Sequence, residues 1–215
     1  MLEIWGRKNS FNVQKVLWCC EELEIPYQRH DAGGLFGGTG EDEYLQRNPT
    51  GLVPTIVDGD LTLWESNTIV RYLPASYGAG GLWPETPAER ALADKWMDYQ
   101  LGTLFPAFKD ALLGLVRTAP ENRNPEKIEA SVRATAGKIA VLDAHLEDND
   151  YVAGSSFTMG DMALGSLVYR WLELDIERPD LPALRAWYER LASRPAYQKT
   201  VMVSFAMEDP PQARA

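Results

Sequence analysis

The first 77 residues alternate short apolar runs with one clear helical stripe. Residues 2–5 predict a strand, and a polar loop at 6–10 follows it. Pro26 ends a helical pattern, and residues 27–31 predict a second strand. A strand, a helix and a strand within about thirty residues indicate a βαβ unit with parallel strands. The apolar positions of the helix are Val13, Val16, Leu17, Cys20 and Leu23.

A hairpin and a further helix follow a long loop. The loop begins with a glycine-rich stretch at 33–40, which lacks the spacing of a nucleotide-binding motif and predicts a flexible loop. Asp-Gly at 58–59 separates two short apolar runs, 55–57 and 61–64, and favours an antiparallel hairpin. Ser66 opens the next helix, whose inward positions are Ile69, Val70 and Leu73, and in which Pro74 is expected to cut or kink the last turn.

The pattern changes after a stretch rich in glycine and proline at 78–87, which predicts a linker. Beyond it the strand patterns stop, and the helical predictions are 88–116, 125–146, 159–174 and 182–193, with a shorter turn near 196–201. The fold class is therefore α/β plus all-α, with a mixed-sheet domain at 1–77, an all-helical domain at 88–206 and a tail at 207–215.

One local signal in the helical half has a structural explanation. Thr158 and Asp161 have the spacing of a helix capping box. Phe157 is expected to pack on Met162 as a hydrophobic staple. This motif predicts a well-defined helix start and no chemistry.

Charge and composition narrow the class of protein. The chain has 215 residues, with 21 Lys plus Arg against 31 Asp plus Glu and a net charge of −10, which argues against nucleic acid or an anionic membrane as the main partner. No uncharged stretch is long enough to span a bilayer, and the N-terminus has no secretory pattern. The two cysteines, Cys19 and Cys20, are adjacent, so a reducing cytoplasm is expected.

Several catalytic chemistries lack their motifs. Two histidines and two adjacent cysteines cannot supply a zinc tetrad, so no metal site is expected. The chain contains neither a G-x-S-x-G elbow nor a C-x-x-C pair, which disfavours a serine hydrolase and a dithiol exchange site.

Polar residues remain at three loop–helix or loop–strand junctions of the first domain. Ser10 and Asn12 flank the start of the first helix, where backbone amides favour an anion. The Val53–Pro54 bond precedes a strand, and a cis bond there can leave backbone groups free to pair with an extended ligand. Glu65 and Ser66 precede the third helix and could hold an ammonium and a carboxylate. Each feature alone is more often a cap or a turn, whereas the three together favour a ligand site.

Four segments carry a family resemblance over almost the whole chain: Asn9–Val16, Asn48–Thr55, Leu63–Ile69 and Phe157–Asp161. With these segments the sequence resembles the soluble glutathione S-transferases, specifically the bacterial, serine-type members of the theta-like and phi-like classes. The resemblance implies a thioredoxin-like βαβ-ββα domain, a C-terminal helical bundle and a homodimer.

The resemblance implies roles for individual residues. Ser10 would donate a hydrogen bond to the glutathione sulfur, and Asn12 is a second candidate, with Asn9 left open as a third. The remaining glutathione contacts would come from Leu52, Val53 and Pro54, from Glu65 and Ser66, and from Arg47 with the loop at 34–39. The electrophile pocket would be lined by Trp5, Phe11, Tyr99, Phe105 and Phe108, with Phe205 a further candidate.

The implied activity is conjugation of glutathione to a hydrophobic electrophile in the cytoplasm, as in detoxification. Glutathione would be a co-substrate with no other cofactor, and neither nucleic acid nor membrane is expected as a partner. Ser10 stands where the cysteine-type classes carry cysteine, which argues against their thiol-transfer chemistry. Two alternatives stay open: a glutathione-dependent disulfide-bond reductase or peroxidase, and a non-catalytic binding protein of the same fold.

Overall fold

The N-terminal part is a four-stranded mixed sheet, seen in a computed structural model that describes residues 1–78 and 81–205. Strand order is β2-β1-β3-β4. β1 and β2 pair in parallel, as the βαβ prediction requires, and β1–β3 and β3–β4 pair antiparallel. The predicted mixed sheet is confirmed. The strands are β1 (Leu2–Trp5), β2 (Tyr27–His30), β3 (Thr55–Asp58) and β4 (Leu61–Trp64).

Three helices accompany this sheet: α1 (Phe11–Glu22), α2 (Asp42–Arg47) and α3 (Ser66–Tyr77). The apolar stripe of α1 is buried from Val13 to Cys20. The sequence predicts one long loop where α2 forms. A short 3-10 turn at Gly34–Phe36 lies in the glycine-rich stretch.

Pro74 was expected to cut or kink the third helix, and it does not cut it. α3 continues through Pro74 to Tyr77. The hydroxyls of Tyr72 and Tyr77, on either side of the proline, both donate to the carboxylate of Asp58 at 2.7 Å. Pro74 itself is buried. Packing and these two hydrogen bonds therefore hold the last turn despite the backbone bond that proline cannot make.

In the described residues, the second part is built from helices joined by loops. α4 and α5 are joined through a π-helical turn at Gln100–Leu104, so the predicted single stretch at 88–116 is interrupted just before Pro106. α7 is the central helix, with 13 of its 15 residues buried. The helices are α4 (Pro87–Tyr99), α5 (Phe105–Val116), α6 (Pro125–Leu146), α7 (Met159–Glu173), α8 (Pro182–Ala192) and α9 (Pro195–Thr200).

The capping box at the start of α7 is present. The Thr158 side chain accepts from a backbone amide of the first turn, and Asp161 accepts from the Thr158 amide at 2.9 Å. Phe157, expected to pack on Met162, packs its ring against Trp18 and Tyr151. The motif therefore also joins the helical part to α1.

Polar contacts connect the two parts of the chain. Arg194, which precedes α9, forms a bidentate pair with Glu22 of α1, with both distances 2.7 Å. α1 packs against α7 and α9. Within residues 1–78 and 81–205, no helix combines the length and apolarity that a membrane span needs. The predicted tail at 207–215 lies outside the described residues.

Candidate functional site

Ser10 occupies the N-cap position of α1, but its side chain makes no capping hydrogen bond. Its backbone carbonyl accepts from Gln14 at 2.9 Å, so the helix begins as usual. The residue is 6% exposed. A hydroxyl that the helix does not use, next to free amides at a helix N-terminus, is suited to donate to an anion. Ser10 is therefore the N-cap residue by position, but its hydroxyl is not used as a cap.

Asn12 and Ser66 lie 54 positions apart in sequence and meet in the structure. The Ser66 hydroxyl donates to the Asn12 side-chain oxygen at 3.2 Å. It accepts from the ammonium of Lys15 at 3.4 Å. The first helix and the start of the third helix thus share one polar cluster, with Asn12 bound to Ser66.

Glu65 has left-handed backbone geometry, with φ of 70°, at the N-cap of α3. This conformation costs a non-glycine residue about 1–2 kcal/mol, and such strain concentrates at ligand sites. Ser66 is the first residue of the helix and is buried. The turn therefore places a carboxylate beside the free amides of a helix of 12 residues.

The peptide bond between Val53 and Pro54 is cis. The segment before it is fixed by side chains: Asn48 donates to the Leu52 carbonyl at 2.9 Å, and the Tyr44 hydroxyl donates to the same oxygen at 2.5 Å. Leu52 itself is 66% exposed. Within the described residues the amide and carbonyl of Val53 form no hydrogen bond, which leaves both groups for an extended ligand.

Arg47 and Trp5 lie together at the C-terminal end of β1. Arg47 pairs with Glu43 at 2.8 Å, one turn earlier on α2, and its guanidinium lies 4.9 Å from the Trp5 ring centre. Trp5 also stacks on His30, with 4.7 Å between the ring centres. Both contacts of Trp5 lie within the first domain, and the other four aromatic residues predicted for the electrophile pocket have contacts of their own.

Those four residues divide into two sets. Phe11 and Phe105 pack together at 5.0 Å, one from each part of the chain. Phe108 is buried against Trp171, and the Tyr99 hydroxyl donates to a backbone carbonyl of α6. The first pair lies next to Ser10, whereas Phe108 belongs to the helical core.

Of the cavities in the helical part, two bear on the predicted electrophile pocket. One of about 370 Å³ is lined by Val116 at the end of α5, by Tyr169 of α7 and by Phe205. None of the five aromatic residues in the predicted pocket lines it, whereas Phe205 does. The other, of about 860 Å³, lies between α6 and residues 175–179 and includes none of the predicted site residues.

The sequence interpretation missed two buried cations beside Ser10. Lys15 is 1% exposed, and its ammonium donates to Asn67 at 2.9 Å and to Gln100 at 2.8 Å as well as to Ser66. Burial lowers its pKa to about 7, against the opposing effect of the Glu65 carboxylate. Lys15 lies off the apolar stripe of α1, where a lysine is usually on the solvent side.

Arg170 of α7 is the second missed residue, at 2% exposure. Its guanidinium donates to the Asn9 carbonyl at 3.0 Å and to the Gln14 side chain at 2.8 Å. Burial lowers the pKa of Arg170 to about 9. The helical part thus holds the loop that carries Ser10.

Family models match most of the chain. The glutathione S-transferase N-terminal domain matches residues 9–76, and the C-terminal domain of the same family matches residues 92–195. The chain belongs to the glutathione S-transferase family. It is 45% identical over 205 residues to glutathione S-transferase GstB of Escherichia coli, covering 94% of this chain and 99% of that protein.

Further relatives agree with this assignment. Glutathione S-transferase 3 of Zea mays is 30% identical, with 100% of this chain and 99% of that protein covered. A theta class glutathione S-transferase from Xanthomonas axonopodis pv. citri, solved with glutathione bound, superimposes with a TM-score of 0.93 at 49% identity. That comparison covers 95% of this chain and 99% of the solved chain. The predicted thioredoxin-like domain and helical bundle are confirmed.

The protein's own cysteines are unsuited to replace the thiol of glutathione in this transferase. Cys19 and Cys20 are both buried on α1. Burial raises the pKa of Cys20 to about 12 and that of Cys19 well above its ordinary value. A thiol that stays protonated at neutral pH is a poor nucleophile. Among the described residues, no cluster of His, Cys, Asp or Glu is arranged to hold a metal ion.

Proposed function

We propose that the protein binds glutathione along the N-termini of α1 and α3, and that Ser10 stabilises its thiolate for attack on a hydrophobic electrophile. The observation that carries this proposal is the Ser10 hydroxyl, which is next to free helix amides and is not used as a cap. The glutathione named in the Xanthomonas structure supports it, at 49% identity. Glutathione is the co-substrate, and the reaction requires no other cofactor.

Each end of glutathione meets a complementary group. The γ-glutamyl carboxylate binds to Ser66 and the amides that open α3, and its ammonium binds to the carboxylate of Glu65. The cysteinyl backbone pairs with the free amide and carbonyl of Val53. Arg47 and the loop at 34–39 hold the glycyl carboxylate. In this arrangement the strained Glu65 turn aims its carboxylate at the ligand.

The chemistry requires a more acidic thiol. A free thiol titrates near pH ~8.5, so only a few per cent is thiolate at neutral pH. Lowering the thiol pKa by about two pH units requires the thiolate to be stabilised, relative to the thiol, by roughly 2.7 kcal/mol. A hydrogen bond to an anion contributes about 1.5–3 kcal/mol, and the N-terminus of α1 adds to it. Ser10 and the helix can therefore supply the required stabilisation without a metal.

The electrophile binds between the two parts of the chain. Phe11 and Phe105 form the wall nearest to Ser10. The guanidinium of Arg170 lies over the rings of both Phe11 and Phe205, and Phe205 lines the cavity of about 370 Å³. In this scheme residues 1–77 bind glutathione, residues 88–206 bind the electrophile, and two copies form a cytoplasmic homodimer, as expected for the family.

Kinetics of single variants test the assignment. Ser10→Ala should lower kcat at least tenfold with a small change in the KM for glutathione, and should raise the pKa of the bound thiol. Ser66→Ala should instead raise the KM, because it contacts the other end of glutathione. If Ser10→Ala leaves kcat unchanged, the role of Ser10 is refuted, and Asn12→Ala should then show the loss.

Substrate class is tested separately. Turnover of a chloronitrobenzene above that of an organic hydroperoxide and a mixed disulfide is the expected result. A reversed order would favour the peroxidase or reductase alternative. Failure of the folded protein to bind glutathione resin would favour a non-catalytic protein.

A further inference from the structure

Lys15 lies behind Ser66, at the junction of α1, α3 and the π-helical turn. Its ammonium donates to Asn67 at 2.9 Å and to Gln100 at 2.8 Å, and it reaches the Ser66 hydroxyl at 3.4 Å. The side chain of Lys15 is buried, at 1% exposure. An effect of Lys15 on a ligand at the start of α3 therefore passes through Ser66, the first residue of that helix.

The two shorter hydrogen bonds of Lys15 have fixed directions. The side-chain nitrogen of Asn67 donates to the Met97 carbonyl at 3.0 Å, so the Asn67 oxygen is the atom that faces Lys15. The Gln100 oxygen accepts from the same Asn67 nitrogen as well as from Lys15. Both neighbours are therefore acceptors, and they use two N–H groups of the lysine whether it is charged or neutral. Toward Ser66 the charged amine presents a third N–H, and the neutral amine presents its lone pair.

The Ser66 hydroxyl has a single hydrogen to donate, and the charge of Lys15 decides where that hydrogen goes. When Lys15 is charged, the Ser66 oxygen accepts from it and donates away from it, to the Asn12 oxygen at 3.2 Å. A ligand carboxylate at the start of α3 can take the same hydrogen in place of Asn12. When Lys15 is neutral, its lone pair competes for this hydrogen. The charged form of Lys15 is thus the one that offers the Ser66 hydroxyl to a ligand.

We propose that Lys15 is a positioning residue for glutathione: its charged form directs the Ser66 hydroxyl toward the γ-glutamyl carboxylate, and glutathione binding is therefore coupled to the uptake of one proton. The proton comes from solvent and stays on the Lys15 nitrogen while the ligand is bound. This inference rests on the proposed function, in which Ser66 holds that carboxylate.

The coupling falls in an accessible pH range. Burial lowers the pKa of Lys15 to about 7, so part of the ligand-free protein carries the neutral amine at neutral pH. Glu65 before α3 opposes this effect, whereas Arg170 of α7 and Arg71 of α3 add to it. The π-helical turn, Gln100–Leu104, has no titratable residue. The negative charge of a bound carboxylate favours the charged lysine, so binding should draw in the missing proton.

Calorimetry with S-methylglutathione counts this proton, because that ligand has no thiol to titrate. Titrations at pH 7.5 in buffers of different ionisation enthalpy give the number of protons taken up per site. With a pKa of about 7, about three quarters of the Lys15 side chains are neutral at pH 7.5, so wild type should take up more than about half a proton. The Kd should rise about tenfold between pH 6 and pH 8, because the lysine must be protonated before the ligand binds tightly.

Lys15→Met removes the amine and keeps a similar side-chain volume. This variant should take up no proton, and its Kd should change less than about twofold between pH 6 and pH 8. Because Glu65, Arg71 and Arg170 remain in it, any pH dependence that they cause persists in the variant. Lys109→Met, which removes an exposed lysine on α5, is the matched control and should behave as wild type.

Ser66→Ala keeps the lysine and removes the hydroxyl through which it acts. Its proton uptake should fall to less than about half of the wild-type value. Circular dichroism checks that each variant folds. If Lys15→Met does not fold, the proton count of wild type and of Ser66→Ala decides the question.

Each contrary outcome has a distinct meaning. Binding of S-methylglutathione by wild type without proton uptake refutes the inference and leaves the proposed function intact. Full uptake by Lys15→Met would assign the proton to another group, and full uptake by Ser66→Ala would show that the lysine does not act through that hydroxyl; both refute the inference. Failure of the folded wild type to bind S-methylglutathione at all refutes the proposed function itself.

Discussion

Because of Lys15, the free energy of unfolding of this protein should rise as the pH becomes alkaline. A lysine in a buried ion pair usually has the opposite effect. Its ammonium is buried among three neutral acceptors, on Ser66, Asn67 and Gln100. The pKa falls from 10.5 to about 7 because burial penalises the charged form. Below pH 7 both the folded and the unfolded chain carry the proton, so the cost of burial is constant there.

Between pH 7 and pH 10.5 the unfolded chain keeps the proton that the folded chain has lost. The free energy of unfolding therefore rises with pH in this window. The difference between the pKa values of 10.5 and about 7 corresponds to a rise of about 5 kcal/mol in the free energy of unfolding over the whole window. Between pH 7 and pH 9, a convenient range for experiments, the free energy of unfolding should rise by about 2 kcal/mol.

Lys15→Met is the perturbation, because methionine fills a similar volume without a titratable group. Urea unfolding of wild type and variant at pH 7 and pH 9, at one protein concentration, gives the difference in pH dependence. Wild type should gain about 2 kcal/mol more than Lys15→Met over this interval. Lys109→Met, which removes an exposed lysine on α5, should behave as wild type. Identical pH slopes for wild type and Lys15→Met would show that the ammonium stays protonated, and would refute the reasoning.

Three other substitutions follow from the packing and from the turn before α3. Asp161→Ala should lower the free energy of unfolding in urea by about 3 kcal/mol, because its fully buried carboxylate accepts four hydrogen bonds. Gly165→Ala should lower it by about 1–3 kcal/mol, since the new Cβ would lie 2.8 Å from Leu191 and 3.0 Å from Trp18; an unchanged midpoint would contradict this close packing. Glu65→Gly should raise the KM for glutathione about tenfold and change stability by less than about 1 kcal/mol, because glycine accepts the left-handed backbone; an unchanged KM would contradict the ammonium contact.

Local pattern was enough to predict the strands, the helical half and the cap of α7. The α6 boundaries at Pro125 and Leu146 match the prediction, because an apolar periodicity continues between a proline start and a polar stretch. α2 was missed because its six residues bury only Tyr44 and so present no apolar stripe. The π-helical turn before Pro106 has no signal in hydrophobic periodicity either.

The candidate site could be predicted only in part, because its charges come from distant elements. Ser10, Asn12 and Ser66 could be found, since each sits at a helix start that the sequence marks. Arg170 reaches Gln14 across 156 positions, so its burial depends on tertiary packing. In an isolated helix both Arg170 and Lys15 are ordinary solvent-facing cations. The sequence could not divide the aromatic residues between core and cavity, because both use the same side chains.

The contact between Arg170 and the Asn9 carbonyl also limits how the two halves of the chain can be exchanged among relatives. A hybrid protein made by joining parts of two relatives within residues 78–87 would take the loop before Ser10 from one protein and the helix that carries the arginine from the other. The new partner would need a cation at the position of Arg170 to hold the backbone before Ser10. In this chain the position of the loop that carries Ser10 thus depends on the seventh helix, although the two are far apart in sequence.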